Sequence, residues 1–328
     1  MRHHVTDWRP GPSLEVLRAR ARMLGEIRGF FAERDVLEVE TPLLASSFGT
    51  EPAIEPLRSE FTGPGHPTGR QLFLQSSPEF FMKRLLAAGS GPIFQVCKAF
   101  RNGEAGRLHN PEFSILEWYR PGFDAPQLMA EVAQLVSGLL GAEGLPVRHR
   151  KYADLFREEL AIDCLESDVA ALQAVAVRHN LIGVEGLDLD RDGWLNLLMS
   201  SLLEQHLGQG ELCFITDFPA SQASLARING DDPRTAGRFE LYYRGVELAN
   251  GFEELADVDE QAQRFEHENC VRRSQGQQPM PVDDYLIAAL QAGLPPCSGV
   301  ALGLDRLLLC ALELDDIDQV IGFSLGRV

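Results

Sequence analysis

The chain has 328 residues, enough for roughly two domains or one large one, and for a core that needs no disulfide or metal staple. Hydrophobic residues make up 45% and charged residues 24%, ordinary globular proportions that exclude wholesale disorder. Thirty Lys and Arg against 48 Asp and Glu give a net charge of −18, which disfavours nucleic acid as a default partner, because affinity for phosphates comes mainly from basic residues.

The polar, proline-bearing leader covers residues 1–12 and has no apolar run of the kind a secretory signal carries. From Ser13 to Arg34, the apolar positions Leu14, Leu17, Ala21, Leu24, Ile27 and Phe31 recur every three or four residues, which predicts a long helix. Residues 35–42 alternate and stop at Pro42, a short strand. The stretch 60–70 is rich in Gly and Pro, a loop or hairpin tip. Ser77 as N-cap, Pro78 at the first helical position and Glu79 in the first turn open a helix that ends at Gly89. Strands are expected at 93–100 and 112–120, joined by the polar loop 101–111, and Asp124 caps a helix closed by Gly141.

Residues 142–210 read as mainly helical and chemically quiet, an insertion or lid packed on the core. A strand follows at 211–218, then a hairpin at 238–254 turning at Arg244-Gly245, and a helix beginning near Asp257 with Glu260 at the capping-box position. The segment 298–314 is a glycine-bearing strand running into an apolar helix. This alternation predicts an α+β fold on an antiparallel sheet flanked by helices, organised as one domain over 13–328 with 142–210 inserted in it. Neither GxGxxG nor GxxxxGK[ST] occurs, so neither a Rossmann nor a P-loop site is indicated. The six cysteines form no CxxC pair and fit reduced thiols in a cytoplasmic protein; no run of ~18 apolar residues could span a membrane.

The strand 112–120 carries the most chemistry. With period two, Phe113, Ile115, Glu117 and Tyr119 share one face. A glutamate among such neighbours is half-buried or more, and needs either an internal cation or a cationic ligand. Glu240 and Glu247 lie on the two arms of the hairpin, with Glu254 seven residues further on. Oxygen ligands of this kind suit Mg²⁺, which takes one or two carboxylates plus substrate phosphates. Arg101 and Arg306 stand at strand ends with His109 between them in sequence, and with the acids they form a clamp suited to a polyphosphate.

Three blocks in order resemble the signature motifs of a class II aminoacyl-tRNA synthetase: the helix and strand ending VETPLL, FRNGEAGRLHNPEFSILEWYR at 100–120, and SGVALGLDRLLL at 298–309. SPEFFMKRLL at 77–86 and GVELANGFEEL at 245–255 are similar to lysyl-tRNA synthetases in particular. Those enzymes carry an N-terminal OB-fold that grips tRNA, whereas only 12 residues precede the first motif here. The pattern closely resembles the elongation factor P lysine ligases. These activate lysine, preferentially as (R)-β-lysine, and join it to a lysine of elongation factor P.

The resemblance implies ATP as substrate, Mg²⁺ as cofactor and a homodimer paired through the first-motif helix and strand. By the same resemblance Arg101 holds the α-phosphate and Arg306 the γ-phosphate; both are expected to be catalytic. His109 and Asn110 lie along the nucleotide, and Phe113 stacks on adenine. Asn102, Gly103, Glu247, Leu248 and Gly303 complete the ATP site, and Glu240 and Glu247 hold the metal. Ser77, Pro78 and Glu79 meet the reacting end of the amino acid, while Glu117, Tyr119 and Glu254 take its side-chain ammonium. Two positions depart from the pattern. Gly103 stands where motif 2 has glutamate, with Glu104 one place later, and Ala301 stands where lysyl-tRNA synthetases have glycine. The competing expectations are a tRNA-charging enzyme, a non-catalytic synthetase-like regulatory subunit and a ligase of free amino acids.

Overall fold

The computed structural model describes residues 8–328; of the expected leader, residues 1–7 lie outside the described residues. Helix α1 (Leu14–Ala32) starts at Ser13, whose side chain accepts the Val16 N–H. Its buried stripe is Met23, Ile27 and Phe31, so the helix is rotated from the expected one: Leu14 and Ala21 face outward and Met23 turns in. Short strands β1 (Leu37–Glu38) and β2 (Leu44–Ala45) follow, then the hairpin β3 (Leu57–Gly63) and β4 (His66–Leu74), whose tip lies inside the predicted loop. Next come α2 (Glu79–Ala87), β5 (Ile93–Phe100), β6 (Glu112–Pro121) and α3 (Ala125–Leu139), the last opened by a reciprocal Asp124–Gln127 capping box.

The segment expected to be helical contains α4 (Tyr152–Leu160), α5 (Val169–Arg178) and α6 (Arg191–Leu198), which runs into a π-helical turn, Met199–Leu203. It also supplies a strand that the sequence reading missed, β7 (Val147–Lys151). The chain continues through β8 (Leu212–Pro219), β9 (Thr235–Tyr243), β10 (Val246–Glu253), α7 (Val258–Ser274), α8 (Asp284–Gly293), β11 (Cys297–Gly303) and α9 (Leu304–Ala311). Arg244 and Gly245 both have positive φ, as a tight hairpin between β9 and β10 requires. All six cysteines are free.

Eight strands form one sheet in the order β1-β5-β6-β11-β10-β9-β8-β7, and β2-β4-β3 form a second. The β1–β5 and β7–β8 pairs at the two edges are parallel; the interior of the large sheet is antiparallel. One face carries Leu116, Trp118, Val300, Leu302, Phe239 and Leu241 into the main core, packed against α1, α3 and α9. The insertion packs its own cluster, centred on Tyr152, Phe156, Trp194 and Leu198, against one flank of the sheet through β8.

The opposite face holds the chemistry in transverse rows. Strand pairing aligns Gln95, Glu117, Ala301, Asn250 and Glu240 across β5, β6, β11, β10 and β9. A second row aligns Ile93, Tyr119, Gly299, Phe252 and Arg238. Neighbouring strands lie about 4.8 Å apart, so four adjacent strands place Glu117 and Glu240 about 14 Å from each other. The register of β10 against β9 shifts between Glu247 and Ala249. Strict alternation would put Glu247, three residues from Asn250, on the core face; this bulge returns it to the face of Asn250 and Glu240.

Candidate active site

Three cavities adjoin these residues. The first, about 360 Å³, contains Ser77, Glu79, Glu117, Tyr119 and Glu254 together with Arg101, Glu240, Glu247 and Ala301. The second, about 420 Å³, lies between the β9–β10 hairpin and the insertion. The third, about 130 Å³, contains Arg101, His109, Asn110, Phe113, Leu248, Gly303 and Arg306. Pro78, Asn102 and Gly103 line none of them. Pro78 instead precedes α2, Asn102 gives its backbone N–H to Glu55 O, and Gly103 has φ +83°. Beyond that turn, Glu104 lies 3.6 Å from Arg101 and lines the first and third cavities.

In the first cavity Glu117 is 2% exposed, and its carboxylate accepts hydrogen bonds from Ser77 and Tyr119, each at 2.7 Å. The Ser77 hydroxyl also accepts the Glu79 N–H at 3.0 Å, but it is not the N-cap the sequence suggested: α2 starts one residue later, with Pro78 in that place and no side-chain cap. Sequence reasoning missed Lys83. This side chain is buried, and its ammonium lies 2.8 Å from Glu79 and 2.6 Å from Glu254. Glu79 and Lys83 are four residues apart on one helix, the spacing at which side chains meet, and that was the available signal. Burial works against the Lys83 charge, but Glu254 and Glu79 raise its pKa above the ordinary lysine value.

Three carboxylates against one ammonium leave two negative charges unanswered. The cavity responds by holding protons. Burial, followed by the Glu79 charge, pushes Glu117 up to about 8. Burial pushes Glu254 up to about 7, against the lowering effect of Lys83, and Glu254 Oε1 has no hydrogen-bond partner. A ligand that brings two ammonium groups would replace those protons.

Gly299 lies beside this pocket. A Cβ there would sit 2.3 Å from Tyr119 Cε1 and 2.6 Å from Glu254 Oε1. On the motif resemblance, which makes this the amino-acid pocket of an ATP-dependent ligase, Gly299→Ala is expected to raise the amino-acid KM about tenfold or more through overpacking, while the ATP KM stays within about threefold. Steady-state exchange kinetics check this, and an unaltered amino-acid KM would contradict it.

The third cavity has different chemistry. The Arg101 guanidinium lies 5.1 Å from the Phe113 ring centroid, and its Nε has no partner. Arg306 donates to the Glu247 carboxylate at 3.2 Å and to His109 Nε2 at 2.7 Å. Arginine only donates, so Nε2 accepts and the His109 proton sits on Nδ1. Burial and then the Arg306 charge lower the His109 pKa, which keeps the ring neutral. The Asn110 side chain is occupied structurally, donating to Glu112 O at 2.6 Å and accepting the Leu325 N–H at 2.9 Å.

Glu240 accepts from Tyr242 at 2.6 Å and from Arg238 at 2.5 Å. Burial raises the Glu240 pKa, Arg238 opposes this, and Glu247 adds to it. The Asn250 side-chain oxygen next to Glu240 in register is buried without a partner. Two carboxylates and an orphaned amide oxygen suit a hard cation. Among the described residues no three His, Cys, Asp or Glu side chains form a closed metal cage, so a metal here would complete its shell with phosphate oxygens and water. Glu204, in the segment expected to be quiet, lies 3.5 Å from the Tyr242 hydroxyl; burial and then Glu247 and Glu240 push it up to about 7.

A family description, tRNA synthetases class II (D, K and N), matches residues 1–326. The chain belongs to this family. The chain is also 48% identical to the elongation factor P–(R)-β-lysine ligase of Photobacterium profundum over 318 residues, 97% of this chain and 98% of that protein. It is 48% identical to proteins of the same name from Salmonella paratyphi B and Salmonella schwarzengrund, over 98% of this chain and 99% of each. The α+β sheet described above is thus a class II synthetase core.

Proposed function

We propose that the chain is an ATP-dependent ligase that activates lysine, with (R)-β-lysine as its preferred form, and joins it to a lysine side chain of elongation factor P. The observation that carries this reading is the first cavity: two buried carboxylates, Glu117 and Glu254, and the half-buried Glu79 around one internal lysine, two positive charges short. Lysine and β-lysine each bring two ammonium groups and one carboxylate. The names of the near-full-length relatives supply the acceptor.

In the first step the substrate carboxylate attacks the α-phosphorus of ATP. A carboxylate–phosphorus bond forms, the bond to the bridging oxygen breaks, and pyrophosphate leaves with that electron pair. The nucleophile is already an anion, so no general base is needed, and positioning and charge stabilisation supply the acceleration. Arg101 is read as the α-phosphate contact and Arg306 as the γ-phosphate contact, with Phe113 against adenine and neutral His109 beside the phosphates. Glu240 and Glu247 would hold Mg²⁺, which neutralises phosphate charge when bound. In the second step the acceptor amine attacks the acyl carbon, a C–N bond forms, and the bond to the phosphate oxygen breaks to release AMP. The amine sheds one proton to water before attack and a second to the departing phosphate.

Glu117, Tyr119 and Glu254 are read as the side-chain ammonium site, with Ser77 and Glu79 toward the reacting end. Ala301 lies between Glu117 and Asn250 in the row, so its methyl narrows the floor under the substrate backbone. Ala301→Gly is expected to lower the preference for β-lysine over α-lysine about tenfold, the scale of one methyl in a fitted pocket. An unchanged ratio of the two kcat/KM values would contradict this role.

A homodimer through α1 and β1 fits the exposed apolar residues there, Leu14 at 65% and Leu37 at 56%. No described helix is long and apolar enough to cross a membrane, and a cytoplasmic location follows from an acceptor that works in translation. Pyrophosphate exchange tests the activity. Exchange stimulated by β-lysine and, more weakly, by lysine is expected; exchange with neither would contradict the function.

A further inference from the structure

The mechanism uses two cavities of the three. Glu247 is the one residue that lines all three, so the second cavity meets the other two at the corner where the phosphates would lie. It shares Arg238 and Glu240 with the amino-acid cavity as well. Its outer wall is the insertion: Leu189, Leu197 and Met199 face Phe218 of β8, and Glu204 follows directly on the π-helical turn.

The lining separates into an apolar passage and an acidic end. Glu204, Glu240 and Glu247 gather there against Arg238, whose Nη2 is bonded to Glu240 and Nη1 to Gln222 O. Arg306 reaches Glu247 from α9, and Tyr242 stands between Glu204 and Glu240. An anion would be repelled. An independent sign of a ligand is Tyr152, a lining residue 1% exposed whose hydroxyl has no hydrogen-bond partner. Buried hydroxyls are normally satisfied, so this one is an open acceptor or donor at the cavity wall.

We propose that the second cavity is the entry for the acceptor lysine side chain, whose aliphatic stem runs past Leu189, Leu197 and Phe218 and whose ammonium is received by Glu204 before it reaches the adenylate. This rests on the function proposed above and gives the insertion a task, which is to build one wall of the acceptor channel. Glu204 thus binds the incoming amine and has no part in activating the amino acid.

Two variants test it. Glu204→Gln removes the charge, and Asn196→Trp fills the channel from an exposed position on α6. Three reactions are followed on each: lysine-dependent pyrophosphate exchange, transfer to elongation factor P, and trapping of the adenylate by hydroxylamine, which is small, uncharged near neutral pH and has no stem to seat. Both variants are expected to raise the elongation factor P concentration for half-maximal transfer about tenfold or more, the scale of one charged hydrogen bond. Exchange and hydroxamate formation should stay within about threefold. Transfer that is unaffected in both variants would overturn the proposal, and so would exchange falling in step with transfer. Absence of exchange in the unsubstituted enzyme would instead contradict the function on which the proposal rests.

Discussion

Glu117→Gln is expected to lower kcat/KM for the amino acid in pyrophosphate exchange by about two to three orders of magnitude, while the ATP KM stays within about threefold. The size follows from burial. Glu117 is 2% exposed and already fixed by Ser77 and Tyr119, so once the ligand displaces its proton the carboxylate meets the ammonium with little rearrangement. Removing one partner of a buried charge pair costs about 3–5 kcal/mol. The pH dependence has a definite sign. Glu254 near 7 and Glu117 near 8 hold protons in the empty cavity, mainly because of burial, and a dicationic ligand must displace them. The amino-acid KM should therefore fall as pH rises from about 6 to 8, and Glu117→Gln should remove the upper part of that fall.

The free protein shows the opposite trend. A carboxyl whose folded pKa is raised keeps its proton in the native state after the unfolded chain has lost it. Between the unfolded value of about 4.5 and the folded values near 7 and 8, the folded state binds more protons, and these two groups reduce stability as pH rises. Thermal melts from pH 5 to 8 should show this loss, and saturating lysine should reduce it because the ligand binds only the folded form.

Arg101→Lys should lower kcat for exchange by about two to three orders of magnitude, the second large effect expected. Arg101 lines both the first and the third cavity, and its guanidinium stands over Phe113 with Nε free. A planar guanidinium can take two phosphate oxygens at once, which a lysine ammonium cannot reproduce. The loss should appear in kcat, because charge on the α-phosphate oxygens shifts as the bond to pyrophosphate breaks. Rapid-quench measurement of adenylate formation checks this; a variant that forms adenylate at the original rate would contradict the role of Arg101.

The period-two face of β6 was legible from residue types alone, and Glu117 and Tyr119 lie together as that pattern requires. Glu247 was not legible in this way. Its place on a hairpin arm opposite Glu240 picked it out as an oxygen ligand, but its turn onto the face of Glu240 depends on a bulge that residue types do not show. Lys83 was hidden by its setting: a lysine in the apolar run FFMKRLL reads as a surface residue of an amphipathic helix, yet Glu254, distant in sequence, closes a buried triad around it. Glu204 gave no signal because its neighbours Tyr242, Glu240 and Glu247 come from the hairpin. β7 was missed for a related reason: VRHRK lies exposed on a sheet edge and needs no apolar alternation to pair with β8. What local patterns do not encode here is side-chain encounter across the sheet.

Intact-mass analysis of elongation factor P, after incubation with this enzyme, ATP, Mg²⁺ and (R)-β-lysine, tests the central claim most directly. The expected result is a single β-lysyl addition on one lysine side chain, dependent on ATP and lost in Glu117→Gln. Elongation factor P of unchanged mass, with the amino acid recovered on tRNA or unactivated, would contradict the account.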